Sequence, residues 1–167
     1  MVQRDGIISA SKNPREMIRI LSPLISNRAI KQLESELKHQ TVQLFKLGES
    51  HFEFARKLPE IEWRQRVSRG YYGVYNCKRA LALYVNGQYS TDASDHKKIS
   101  EIPDDFPERE TRVTRLRDLR EDRNTCDYDH AATEHDLLID PKEIIDFCSS
   151  FILDIKKYLT NKGCRIR

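Results

Sequence analysis

The stretch between Pro23 and Pro59 contains no proline, and within it Ile30, Leu33, Leu37, Leu44, Leu47 and Phe54 recur at steps of three, four or seven. That period puts one apolar face on a helix from Asn27 to about Leu58, and a helix so long needs partners to cover that face. Two other segments can supply them. Trp63, Val67, Tyr71, Val74, Tyr75, Leu81 and Val85 fall on one arc of a helix from about Ile61 to Val85, which Asn86-Gly87 stops. Tyr72 and Leu83, beside Asn76, Arg69 and Arg79, lie on its other side, so this helix is expected to be central. Asp140-Pro141-Lys142-Glu143 opens a last helix whose stripe runs through Ile144, Ile145, Phe147, Cys148, Phe151, Ile152, Ile155 and Leu159 and ends near Gly163.

Residues 1–12 read as loose. Asn13-Pro14-Arg15-Glu16 then supplies a cap, a proline at the first helical position and a glutamate at the third, so a short helix runs to about Leu21. Residues 86–94 are turn formers, followed by a helical turn or two over Asp95 to Ile99. Another helix is expected from about Pro107 to Asn124, after which the apolar pattern lapses until Asp136. No segment alternates with period two. The expected fold is therefore all-α, an up-and-down bundle of four to five helices: an extension with a short helix over 1–26, the helical domain over 27–162 and a tail over 163–167.

Charged residues at 33% against 38% apolar suit helices with solvated charged faces. Nothing approaches the roughly 20 apolar residues of a membrane span, and the first residues lack the apolar run of a secretion signal, so a cytoplasmic protein without membrane contact is expected. The scattered Cys77, Cys126, Cys148 and Cys164 read as free thiols. There is no GxxxxGK[ST], GxGxxG, GxSxG or HExxH, so neither a cofactor nor a metal is expected. The net charge of +3 is too small for the overall field to mark a nucleic-acid binder. Any case for RNA must come from the placement of the arginines.

On a helical wheel over residues 107–124, Val113, Leu116 and Leu119 share a side with Arg109, Arg112, Arg120 and Arg123, while Glu110, Asp118, Glu121 and Asp122 lie mostly opposite. An arginine at a core-facing position must find a carboxylate, a backbone acceptor or a bound anion, because burying it unpaired is costly. One reading pairs Arg120 and Arg123 with carboxylates such as Asp127 and Asp129 to hold the bundle together, and leaves Arg109 and Arg112 on its exposed flank. The other has guanidinium groups converge on phosphate, which their planar fork binds at two points; Arg69, Arg112, Arg120 and Tyr72 are its candidate contacts. Arg123 to His130 then packs a cation, an amide, two carboxylates, a phenol and an imidazole into one short run. Metal-free RNA cleavage needs a group to take the 2′-hydroxyl proton, one to protonate the 5′-oxygen and one to stabilise the phosphorane. A histidine and an arginine can do much of this.

Three motifs carry a resemblance. Arg66-Val67-Ser68-Arg69-Gly70-Tyr71-Tyr72-Gly73-Val74-Tyr75 resembles the SRxYYxxF helix of HEPN domains, and His96-Lys97-Lys98 looks like their HK turn. The segment from Leu119 to Asp129 is similar to their LRxxRNxxDYD segment, and the likeness covers about residues 35–160. The resemblance implies a metal-independent endoribonuclease of toxin or phage-defence type, with the motif Arg, often Asn, then four to six residues and His, which Arg123, Asn124 and His130 match. It implies that Arg123 stabilises the scissile phosphate, His130 transfers a proton and Asn124 orients one of them. Asp127 and Asp129 are read either as capping or pairing with arginine or as tuning His130, and His96 is a further supporting candidate. It also implies RNA as partner, a homodimer that joins two motifs at one cleft, and control by a nucleotidyltransferase-type antitoxin or a defence complex. Two alternatives stay open: a non-catalytic HEPN module that binds a nucleotide or a partner protein, and a plain helical scaffold whose arginines are internal ion pairs.

Overall fold

The computed structural model describes residues 13–90 and 93–166, and over these the chain is all-helical with no strand. The loose segment expected over 1–12 lies outside the described residues, as do 91 and 92 of the expected connector and Arg167 of the expected tail. Five helices follow one another: α1 (Pro14–Leu21), α2 (Asn27–Lys57), α3 (Trp63–Asn86), α4 (Arg109–Tyr128) and α5 (Pro141–Asn161). Three 3-10 turns, Glu60–Glu62, Ala93–Lys98 and Glu134–Asp136, lie in the links.

The helix starts follow from local chemistry. Asn13 Oδ1 accepts the Glu16 N–H at 3.0 Å, Ser26 Oγ the Ala29 N–H at 3.3 Å and Asp140 Oδ1 the Lys142 N–H at 2.9 Å, each satisfying an orphan donor of a first turn. Gly87 ends α3 in the left-handed region, at φ 65°, which favours a residue without Cβ.

Helix α3 is covered almost all round. Its buried residues include Tyr71, Val74, Cys77, Ala80, Leu81 and Leu83, which fill the wheel, and it packs against α2, α4 and α5. Phe52 faces Gly73 and Phe45 faces Cys77, so α2 and α3 form an antiparallel pair. Contacts from Arg64 to Cys126 and from Tyr72 to Arg123 run α4 antiparallel to α3. Tyr71, Phe45 and Phe151 are fully buried at the centre; each such aromatic contributes roughly 1.5–3 kcal/mol relative to exposure.

Two expectations are corrected. The buried face of α2 is Leu37, Thr41, Phe45, Gly48, Phe52 and Ala55, whereas Leu47 and Phe54 are 47% and 52% exposed. The cause is a close helix crossing: a Cβ at Gly48 would lie 2.6 Å from the Gly73 carbonyl oxygen and 2.5 Å from Cys77 Sγ. Backbones that near choose the face that carries the glycine. Helix α4 also continues four residues past Asn124, to Tyr128. Its inward row is Leu116, Leu119, Asp122 and Cys126, and Asp122 can occupy a core position because its carboxylate accepts the N–H groups of Leu138 and Ile139, at 2.7 and 3.0 Å. Among the described residues no helix is long and apolar enough to cross a membrane.

Candidate functional site

Where α3, α4 and the Ala93–Lys98 turn meet, polar and aromatic side chains gather around Arg123. Its Nη2 donates to the Tyr72 hydroxyl at 2.6 Å and its Nη1 to Asn124 Oδ1 at 3.2 Å. Its Nε lies 2.8 Å from Asp127 Oδ2, an ion pair whose N–H is not aligned as a hydrogen bond. Asp127 can reach it because α4 continues as helix to Tyr128, putting the two residues one turn apart. The guanidinium also lies over the Tyr71, Tyr72 and Tyr128 rings, at 5.7, 5.3 and 5.2 Å from their centroids. Only 12% of the Arg123 side chain is exposed.

The turn before Ile99 brings His96 against this group. Its Nδ1 shares a 2.8 Å hydrogen bond with the Tyr71 hydroxyl, its ring stacks on Tyr75 with centroids 4.2 Å apart, and Tyr72 meets it edge-on at 6.1 Å. Tyr75 donates to Asp95 Oδ2 at 3.1 Å, and Arg79 Nε lies 3.8 Å from the same oxygen. Burial lowers the pKa of His96 below the ordinary imidazole value, the Arg123 and Arg79 charges lower it further, and Asp95 opposes them. Burial and the Asp95 charge push Tyr75 up to about 12, and burial pushes Tyr71 higher still, so both phenols keep their protons.

Helix α2 contributes His51, whose ring centroid lies 5.8 Å from that of Tyr72. Burial and the nearby Arg69 charge lower its pKa. The Arg69 guanidinium lies 5.7 Å from the Phe54 ring.

Arg123, Asn124, Tyr72, Asp127 and His96 are thus together, with Arg69 beside His51. Arg120 pairs with its neighbour Glu121, although its charge is felt at the Tyr71 phenol. Arg112 is engaged elsewhere: buried, it donates to Ser150 Oγ at 2.7 Å and pairs with Asp154, joining α4 to α5 away from the cluster. His130 is exposed in the turn after α4. Asp129 shapes that turn by accepting the Ala131 N–H at 2.9 Å. The same turn is clasped from α3 by Arg64, which donates to the carbonyls of Cys126, Asp129 and Ala132 at 3.0, 2.8 and 2.5 Å.

Sequence reading gave no role to His51 or Asp95. Asp95 is adjacent to His96, a signal that was available; His51 reaches Tyr72 only through the α2–α3 crossing, which no spacing announces. A cleft of about 380 Å³ bordered by Glu60, Arg66, His135 and Lys142 lies apart from the cluster and mixes charges of both signs. Compared with protein-family models, curated proteins and solved structures, the chain matches none.

Proposed function

We propose that this chain is a HEPN-type domain that cleaves RNA without a metal ion, with Arg123 bound to the scissile phosphate. The observation that carries the reading is the Arg123 guanidinium, fixed by Tyr72, Asn124 and Asp127 beside a half-buried imidazole. A guanidinium has five N–H groups, and these three contacts leave part of its fork for a phosphate oxygen. Fixed cationic donors aimed at developing charge lower the barrier without reorganising during the reaction. The proposal extends to the toxin or phage-defence setting, a homodimer, a cytoplasmic location, and an antitoxin or defence complex as partner.

The test is cleavage of a labelled RNA pool in EDTA by the chain and by a folded Arg123→Ala variant. The expected outcome is cleavage by the parent and a loss of roughly 100- to 1,000-fold in the variant. No cleavage by the parent overturns the reading.

A second reading is favoured by the burial of Arg123: with 12% of its side chain exposed and Asp127 beside it, it serves as an internal ion pair or anion clamp in a non-catalytic module that binds a nucleotide or partner protein. Under that reading Arg123→Ala lowers the unfolding midpoint or abolishes ligand binding, and neither protein cleaves RNA.

A further inference from the structure

We propose that Tyr128 is the residue on which an unpaired base of the RNA stacks, next to the phosphate held at Arg123. The inference rests on the ribonuclease reading and deepens it, because it adds a nucleobase subsite at the end of α4 and makes single-stranded RNA the substrate form. The subsite falls inside the Arg123–His130 segment, two residues before His130, and leaves the roles of that motif as they stand.

Tyr128 differs from the other rings of the cluster. Tyr71 and Tyr75 are buried and Tyr72 is half-buried, and each has its hydroxyl in a hydrogen bond. Tyr128 is 73% exposed, and among the described residues no Phe, Tyr or Trp is more so. A single exposed apolar side chain is ordinary; what sets this one apart is the group against it. The Arg123 guanidinium is centred 5.2 Å from the Tyr128 ring centroid, within the span of one nucleotide. Ring and cation together can take the two halves of a nucleotide: a base, which always offers a π-face, and a phosphate, which a guanidinium fork binds.

The backbone under the ring is fixed before any ligand arrives. Tyr128 is the last residue of α4, the Asp129 N–H closes the turn on the Thr125 carbonyl at 3.1 Å, and Arg64 holds the carbonyls of Cys126, Asp129 and Ala132. Stacking then orders little more than one side chain. The same clasp has an electrostatic effect. A helix C-terminus carries partial negative charge that repels phosphate, but here three carbonyls at the exit of α4 face a guanidinium. Of the carboxylates on either side of Tyr128, Asp127 is paired with Arg123 and Asp129 accepts the Ala131 N–H. Asn124 and Arg120, four and eight residues earlier, share its ridge of α4. The ring therefore ends a row of cation and amide rather than an apolar stripe, and single-stranded nucleic acid is bound by such interleaving of charge and aromatic rings. A base within a duplex has both faces covered by its neighbours, so it can use Tyr128 only by leaving the helix.

The experiment measures binding apart from cleavage. A fluorescent 2′-O-methyl RNA hexamer, which lacks the attacking hydroxyl, is titrated with the full chain, with Tyr128→Ala and with Tyr128→Phe, by anisotropy at several salt concentrations. The same strand is titrated again as a duplex with its complement. Neither substitution removes a core side chain, so both variants fold. Expected is a Kd about 5- to 150-fold higher for Tyr128→Ala on the single strand, the loss of one stacked base, with an unchanged salt dependence because no charge is lost. Tyr128→Phe restores the affinity, and on the duplex Tyr128→Ala binds like the parent. On cleavable RNA in EDTA the loss falls on KM more than on kcat. Equal single-strand Kd values for the parent and Tyr128→Ala overturn the assignment, as does a loss that Tyr128→Phe shares. A lower mass of Tyr128→Ala on sedimentation overturns it too, since the ring then joins copies of the chain. If the parent cleaves while any of these holds, the ribonuclease reading stands without the subsite. A parent that binds the strand through Tyr128 and cleaves no RNA overturns the ribonuclease reading alone, and one that does neither overturns both.

Discussion

Asp122 shows how much one side chain decides here. It is 1% exposed, and both carboxylate oxygens accept backbone N–H groups of the segment that leads into α5. Asp122→Ala leaves those two donors without their partner and should cost about 2–4 kcal/mol, as losses of buried charge-assisted hydrogen bonds do; urea unfolding of the purified variant measures it. On the wheel Asp122 falls with the solvent-facing acids, and nothing in the local pattern marks it as the one turned inward. The cluster around Arg123 was easier to read. Tyr72, Arg123, Asn124 and Asp127 sit in two motifs whose residue types already suggest an anion site. His96 was only half announced and His51 not at all, because their nearness to Tyr72 is a product of packing between elements distant in sequence.

At the scale of elements, the caps and the apolar periods marked where helices begin and end, and Asn13, Ser26, Asp140 and Gly87 do what their chemistry suggests. What periodicity could not choose was the angular setting of α2. Two apolar faces were available, one with Leu47 and Phe54 and one with Phe45 and Phe52, and the choice fell to a residue with no side chain. Gly48→Ala would push a methyl group against the Gly73 carbonyl oxygen at 2.6 Å, backbone that cannot swing aside. Overpacking of this kind should cost about 1–3 kcal/mol, and a chemical denaturation midpoint compared with the parent's checks it. Because His51 lies one turn beyond Gly48 on the same helix, the crossing that seats Gly48 also seats that imidazole.

At the scale of the whole molecule, the four thiols sample the packing from different places: Cys77 on α3, Cys126 on α4, Cys148 on α5 and Cys164 just after it, all free and buried. Burial pushes Cys126 and Cys148 up to about 12 and raises Cys77 and Cys164 as well, so none is a thiolate near neutrality. The folded chain should leave a bulky disulfide reagent such as Ellman's nearly unconsumed at pH 7.5, and all four should react once denaturant unfolds it. One thiol reacting far ahead of the rest would show that its helix opens separately from the bundle.

The clasp formed by Arg64 joins these scales. A helix end usually hands its last carbonyls to water or to a glycine turn, but the exit of α4 hands two carbonyls of the following turn and one of its own last turn to a single guanidinium on another helix. The loop carrying His130 is thus held near its start by Arg64 of the central helix and at its end by Asp122 of α4, so a partner that pressed upon the loop would be felt, through Arg64, at the first turn of the central helix.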